Sequence, residues 1–122
     1  MSKRARDIFL QDTTELRVVA DSSGLVLGIN APLAELLGLP PSEAEGRFVW
    51  DFVDTGSLDD TLSALARLVR GGQVSEQRLC VLTTQRKQVW TEWEATPAEG
   101  DGGMFGRGRI LSEDEVEADD AL

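Results

Sequence analysis

The side chains that could carry out catalysis in this chain are few. None of its 122 residues is a histidine, which removes the most common general base and the most common metal ligand. Nucleophilic catalysis at the single thiol, Cys80, therefore lacks its usual base. Glu92 and Glu94 are predicted on an exposed strand face flanked by arginines, and the glycine-rich piece 100–103 joins two strands rather than opening a helix, so it is no phosphate loop. We expect neither an enzyme nor a metal site.

The net charge of −10 is unevenly distributed along the chain. Residues 113–122 hold six acidic side chains and no basic one, so the rest carries 12 basic against 22 − 6 = 16 acidic side chains, a net charge of −4. An acidic body argues against binding to nucleic acid. The apolar run 8–10 is too short for a signal peptide, and no segment approaches the ~20 apolar residues of a membrane span. We expect a cytoplasmic protein with no membrane partner, whose segment 113–122 is an acidic tail or the start of a linker.

The segment 16–38 predicts a β-hairpin that leads into a short helix. Residues 16–20 and 25–29 have strand character, and the turn between them contains Gly24, which readily takes a positive φ. Asn30 suits the N-cap of the helix, and Gly38 suits its end. Two one-turn helices are predicted next, over 42–45 and 49–53.

The most regular helix is predicted over 58–70, with Ser57 as its cap. Its apolar residues have the spacing of one buried stripe, formed by Leu58, Leu62, Leu65, Ala66 and Val69. Three further strands are predicted over 75–83, 88–96 and 103–111, and a short helix within residues 1–13. This order of elements is typical of an α+β domain with one antiparallel sheet.

The chain resembles the PAS domain family over residues 14–112. The resemblance rests on the order and spacing of Asp21-x-x-Gly24, Asn30, Leu37-Gly38, Glu45-Gly46-Arg47, Trp90 and a final glycine-containing strand. Two places depart from the family pattern: the closing Asp-Ile-Thr triplet reads Ile110-Leu111-Ser112, and the Asp-Gly turn before Trp90 reads Gln85-Arg86. The resemblance implies the PAS fold, a five-stranded antiparallel sheet with helices packed on one face, preceded by a flanking segment, 1–13.

A ligand pocket is the first functional expectation that the resemblance carries. Matching the Trp90 strand to the family pattern implies that Trp93 points toward the helices, and strand alternation then assigns the other residues to one of two sheet faces. PAS ligands lie between the sheet and the helices, a space lined here by Leu27, Ile29, Leu62, Leu65, Leu79, Val81, Trp93 and Ile110. Simple core packing around the indole and a site for a small apolar ligand are the two interpretations.

No cofactor is expected in that space. Photoactive flavin domains of the family carry a reactive cysteine in a Gly-Arg-Asn-Cys-Arg run, and Val49 stands at that position here. Flavin also needs polar groups for its pyrimidine edge, for which Val81 and Thr91 are poor substitutes. Heme-binding PAS domains typically use a histidine ligand, which this chain lacks.

The face of the sheet away from those helices is predicted to be a partner surface. Its candidate residues are Ile8, Phe9, Leu82, Trp90 and Phe105. Either the N-terminal segment or the same face of a second copy would cover this apolar area, the latter giving a homodimer. Opposite charges predict a register that places Arg78 and Phe105 beside Glu94, Cys80 and Arg107 beside Glu92, and Gly106 beside Trp93.

The resemblance implies a sensory or regulatory module in signal transduction that acts through dimerisation and protein–protein contacts. Its partner would be an output domain or another signalling protein. A purely structural dimerisation domain and a sensor of a small apolar ligand are the alternatives.

Overall fold

The computed structural model of the chain describes residues 2–11, 13–98 and 103–120, with side chains up to residue 117. Part of the predicted turn before the last strand, residues 99–102, and the last two residues of the acidic segment lie outside the described residues. The helices are α1 (Lys3–Phe9), α2 (Ala31–Leu37), α3 (Pro41–Ala44), α4 (Leu58–Val69) and α5 (Glu113–Asp120), with two 3₁₀ turns at Val49–Phe52 and Thr55–Ser57. The strands are β1 (Leu16–Ala20), β2 (Val26–Ile29), β3 (Val74–Leu82), β4 (Gln88–Pro97) and β5 (Met104–Ile110).

The five strands form one antiparallel sheet in the order β2-β1-β5-β4-β3. The predicted strands agree with the observed ones to within one residue at each end. Because the last strand, β5, pairs with both β1 and β4, the two halves of the chain close on each other at the centre of the sheet. The α+β fold predicted from the order of elements is therefore confirmed.

Asn30 joins the hairpin to the helix that follows it. Its Oδ1 accepts hydrogen bonds from the backbone N–H of Leu33 at 3.3 Å and of Arg17 at 2.9 Å, and its Nδ2 donates to the carbonyl of Glu15 at 2.7 Å. The predicted N-cap is thus confirmed, and the same buried side chain also fixes α2 against β1. Gly38 ends α2 in the left-handed conformation, φ +82°.

α4 is present where it was predicted, but a different side of it is buried. Thr61 and Leu68 are buried, whereas Leu62 and Val69 are exposed, so the predicted phase of the stripe is wrong. The helix packs through small and medium side chains that the apolar pattern did not single out. The prediction that Ser57 caps α4 through its side chain is wrong. Its Oγ instead accepts a hydrogen bond from the backbone N–H of Cys80 at 2.8 Å.

The predicted register of the last three strands is wrong by two residues on both sides of β4. The observed pairs are Arg78 with Glu92, Cys80 with Trp90, Glu92 with Arg109, Glu94 with Arg107, and Trp93 with Gly108. A two-residue shift keeps every side chain on its predicted face, since side chains alternate with a period of two. Both registers also pair arginine with glutamate, so the charge pattern could not separate them.

Helices lie on both faces of the sheet. The concave face packs against α2, α3 and α4, as the fold prediction requires. On the other face the Phe9 ring, at the end of α1, lies 4.6 Å from the Phe105 ring of β5, and Gly28 leaves room for Leu10. The N-terminal segment therefore covers part of the predicted partner surface.

α5 also begins on the outer face of the sheet. Its first turn is closed by a capping box in which the Ser112 Oγ accepts from the Glu115 N–H at 3.2 Å and Glu115 Oε1 accepts from the Ser112 N–H at 3.0 Å. Residues of the acidic segment thus form a helix, Glu113–Asp120, which continues directly from β5.

Candidate functional site

An apolar cavity of about 130 Å³ lies between the concave face of the sheet and the helices. Its wall includes the polar side chains of Thr61 and Gln77, and both are hydrogen-bonded to the backbone. Thr61 donates to the carbonyl of Ser57 at 2.8 Å, and Gln77 donates to the carbonyl of Arg78 at 3.2 Å. The remaining wall is made mainly of aliphatic and aromatic side chains. A molecule in this cavity would be held by apolar contact.

Five of the eight predicted pocket residues line the cavity, namely Ile29, Leu65, Leu79, Val81 and Trp93. The predictions for Leu27, Leu62 and Ile110 are wrong. Leu27 is the extra residue of a β-bulge, because Val19 pairs with Gly28 and Ala20 with Val26. Leu62 lies outside the buried side of α4. Ile110 lies two residues past the last pair between β5 and β1, at the end of the sheet, and is 52% exposed.

The same features account for cavity residues that the sequence prediction missed. The bulge turns Val26 inward in place of Leu27, and the different phase of α4 brings in Thr61, Ala64 and Leu68. A wider apolar window on α4 could have found Leu68, but nothing in the pattern favours burial of Thr61. Val49 and Phe52 reach the wall from the first of the two 3₁₀ turns, Val49–Phe52.

Trp93 forms much of the sheet side of the cavity, on the face predicted for it. Its Nε1 donates to the Thr91 Oγ1 at 2.8 Å, and that hydroxyl donates to the carbonyl of Leu79 at 2.8 Å. A Cβ on Gly108 would lie 2.7 Å from two atoms of the indole. The ring is therefore held in place by one hydrogen bond and by a strand position that has no side chain.

The cavity is small for a ligand of the size of a flavin. Pockets for drug-sized ligands occupy ≈ 300–1,000 Å³, and this one is about 130 Å³. Val49, which stands where the resemblance places the reactive cysteine, lines the wall and brings no thiol. Within residues 2–11, 13–98 and 103–120, no three histidine, cysteine, aspartate or glutamate side chains are grouped as a metal site requires.

Cys80 is a buried packing residue on the outer side of β3, opposite Trp90. Burial raises the pKa of its thiol, and the Asp54 carboxylate raises it further. A thiol that is protonated at neutral pH is a poor nucleophile.

The five predicted partner residues are not equally accessible. Phe9 and Phe105 are in ring contact with each other and are half-buried. Leu82 is also half-buried, whereas Ile8 is 57% and Trp90 is 41% exposed. The apolar area that remains open on the outer face therefore centres on Trp90 and on the outward side of α1.

The same outer face holds an ion-pair network that anchors α5. Arg109 donates to the Glu115 carboxylate at 2.6 and 2.9 Å and to Glu92 at 3.2 Å. Arg78 donates to the backbone carbonyl of Glu115 at 3.0 Å and pairs with Glu92 at 3.5 Å. Hydrogen bonding to Arg109, supported by the N–H of Ser112, lowers the pKa of Glu115 to about 2.

The fold and this cavity define a PAS domain, and comparison with known proteins agrees. The model of the PAS fold family matches residues 9–114, so the chain belongs to that family. No curated protein matches the chain. Across the described residues, no helix is both long and apolar enough to cross a membrane.

Solved structures with the same fold include a PAS domain, a domain of a sensor histidine kinase/response regulator and a LOV protein. The PAS domain of a protein from Colwellia psychrerythraea superposes with a TM-score of 0.77 at 20% identity, over 90% of this chain and 97% of that one. A domain of a sensor histidine kinase/response regulator from Geobacter sulfurreducens gives 0.72 at 22% identity, over 87% and 91%. The LOV protein of Rhodobacter sphaeroides gives 0.78 at 12% identity, over 99% of this chain and 74% of that one. These neighbours share the fold of this chain, in agreement with the family match.

Proposed function

We propose that this PAS domain is a non-catalytic regulatory module of the cytoplasm that works as a homodimer and passes a signal to an output domain or partner protein without an obligatory chromophore. The observation that carries the proposal is the small, apolar cavity, one side of which is formed largely by Trp93. A domain with so little internal space depends on its surfaces, and the open apolar area around Trp90 supplies one for a second copy.

The signal would leave through β5 and α5. Gly108 packs against the indole of Trp93 on the concave side of the sheet, and the next residue, Arg109, holds Glu115 of α5 on the outer side. A change in the cavity that moves β5 would therefore alter the anchor of α5. A sensor kinase domain from Geobacter sulfurreducens shares this fold, and an attached output of that kind is the partner we propose.

Native mass spectrometry of protein purified from cells without added cofactor tests this proposal. We expect a homodimer whose mass equals that of two unmodified chains. Trp90→Ser should raise the monomer fraction at equal concentration, while Lys87→Ser, an exposed change in the neighbouring hairpin loop, should not. A monomer at all concentrations, or a stoichiometric chromophore, would count decisively against it.

A second candidate function is favoured by the chemistry of the cavity wall. A space of about 130 Å³ with an apolar lining is close to the size of cavities that stay dry and take up benzene or xenon. If the domain senses a small apolar molecule, saturating benzene should raise its melting temperature, because a ligand that binds only the folded state stabilises it. Ala64→Met, which would fill the cavity from α4, should remove that shift. A purely structural dimerisation domain would show dimerisation and no response to any ligand.

A further inference from the structure

α4 carries an apolar stripe that its packing leaves in solvent. Leu62 is 45% and Val69 is 57% exposed, and Ala66 between them is exposed as well. These residues follow each other at spacings of four and three, so they form one line along the helix. The helix is buried through a neighbouring line that includes Thr61 and Leu68. Its apolar arc is thus wider than its contact with the domain, on the side of the molecule opposite the outer sheet face.

The stripe is bordered by a second apolar feature. Leu65 lies on the edge of α4 between the buried and exposed lines. A Cβ added to Gly24 would lie 3.3 Å from the Leu65 side chain and 2.6 Å from the Trp50 ring, so Leu65 and Trp50 lie close together above Gly24. The Trp50 indole stacks on the Phe48 ring with centroids 4.6 Å apart and planes 5° apart. The stripe therefore continues into a half-buried aromatic pair, and the patch is broader than one helix.

The charges at the two ends of the stripe point to its occupant. Asp59 and Arg70 are eleven residues apart, which is three helical turns, so both lie along the same edge of α4. The Arg70 Nε donates to the carbonyl of Ala66 at 3.2 Å, which keeps the guanidinium beside the stripe. Among the described residues, the Asp59 carboxylate makes no hydrogen bond or ion pair. One end of the edge is therefore negative and the other positive.

We propose that two copies of this chain pair through α4 in an antiparallel arrangement. A two-fold axis near Ala66 sets Leu62 of each copy against Val69 of the other, and the small alanines at the centre allow the helices to approach closely. With the same axis, Asp59 of one copy lies nearly opposite Arg70 of the other. The offset between them is about two residues, which is roughly 3 Å along the helix axis. A parallel pair would place like charges together and align the helix dipoles unfavourably.

This contact is separate from the sheet-face dimer of the proposed function and does not depend on it. Two helices and their borders bury less than the ≈ 1,200–2,000 Å² of a standard stable interface. We therefore expect a weak association, with a dissociation constant of about 10–100 μM. A domain that used both surfaces would form chains or tetramers at high concentration.

Sedimentation equilibrium over a concentration series up to 1 mM tests the proposal. Ala66→Glu should weaken the α4 association at least tenfold, because it brings two like charges together at the axis, while glutamate keeps the helix intact. Gln85→Glu is the matched control, since it makes the same charge change at an exposed position of the loop between β3 and β4, outside α4, and should leave the association unchanged. Circular dichroism melting of each variant checks that the fold is retained.

The charged edge gives a second, independent test. Asp59→Arg and Arg70→Asp should each weaken the association, and the double variant should restore most of it, which loss of folding could not produce. Trp90→Ser should leave the α4 contact as it is. The α4 proposal is overturned if Ala66→Glu and Gln85→Glu behave alike, if the charge swap gives no recovery, or if Trp90→Ser alone abolishes all association. That last result would leave the sheet-face dimer standing.

Discussion

Replacing Gly108 with alanine should displace the indole of Trp93. The added Cβ would lie 2.7 Å from Cδ2 and Cε3 and 2.8 Å from Cε2 of the ring, where ordinary contact begins at 3.4 Å. The ring must therefore retreat by 3.4 − 2.7 = 0.7 Å or more, away from a backbone that β1 and β4 hold on both sides. Overpacking of this kind costs about 1–3 kcal/mol. The retreat also strains the 2.8 Å hydrogen bond to Thr91, whose loss would add about 1 kcal/mol.

Urea and thermal unfolding, followed by circular dichroism, measure this cost. A loss of about 2–4 kcal/mol corresponds to a fall of roughly 8–16 °C in Tm for a domain of this size. Gly56→Ala is the control, because its nearest neighbour would be Asp54 Oδ2 at an ordinary 3.4 Å. A double-mutant cycle with Trp93→Leu should recover at least half of the cost, since the clash needs the indole. An unchanged Tm for Gly108→Ala, or an equal cost in the Trp93→Leu background, would refute the account of how the ring is held.

Three further predictions concern other parts of the fold. Asn30→Ala should cost about 2–4 kcal/mol in urea unfolding, because it removes three hydrogen bonds at a buried site and leaves backbone groups without partners. Arg86→Gly should raise the unfolding free energy by about 1 kcal/mol, since Arg86 has a φ of 63° that glycine adopts without strain. The pKa of Glu115 is lowered from 4.5 to about 2 in the folded protein, so its contribution to the anchoring of α5 is complete above pH 4.5 and is lost as the pH falls toward 2. Hydrogen exchange at residues 113–117, corrected for its intrinsic rate, should therefore quicken between pH 5 and pH 3, and Arg109→Ala should remove most of that dependence.

Features that depend on one residue type or on a simple period were predictable from the sequence. Asn30 and Gly38 have strong positional preferences at helix ends, and they delimit α2 as expected. The strand faces also followed from alternation once Trp93 was assigned to the helix side. The most reliable part of the prediction was therefore the order of elements and the inward-pointing set on β3 and β4.

Features set by tertiary contacts could not be predicted in the same way. The bulge at Leu27 inverts the alternation in β2, and the glycine that follows it, Gly28, is a residue type that often marks a bulge but does not fix its position. A second irregularity in β3, between Val74 and Gln77, places Glu76 at a φ of 54°. The phase of α4 was uncertain because its apolar residues span a wider arc than one contact surface needs. Which part of that arc is buried depends on the shape of the sheet beneath it.

The arrangement of β5 explains why one small domain can connect its interior to both of its ends. β5 is the central strand, and its own Phe105 contacts Phe9 of the N-terminal segment on the outer face. The neighbouring strand β1 also holds that segment, since Arg17 donates a hydrogen bond to the carbonyl of Phe9 at 2.7 Å. Its successive residues face opposite sides, so Gly108 meets the cavity wall while Arg109 holds α5. The α5 anchor consists largely of exposed ion pairs, which contribute little to stability. Under the proposed function, an α5 anchor that is only weakly favoured would respond to a small displacement of β5.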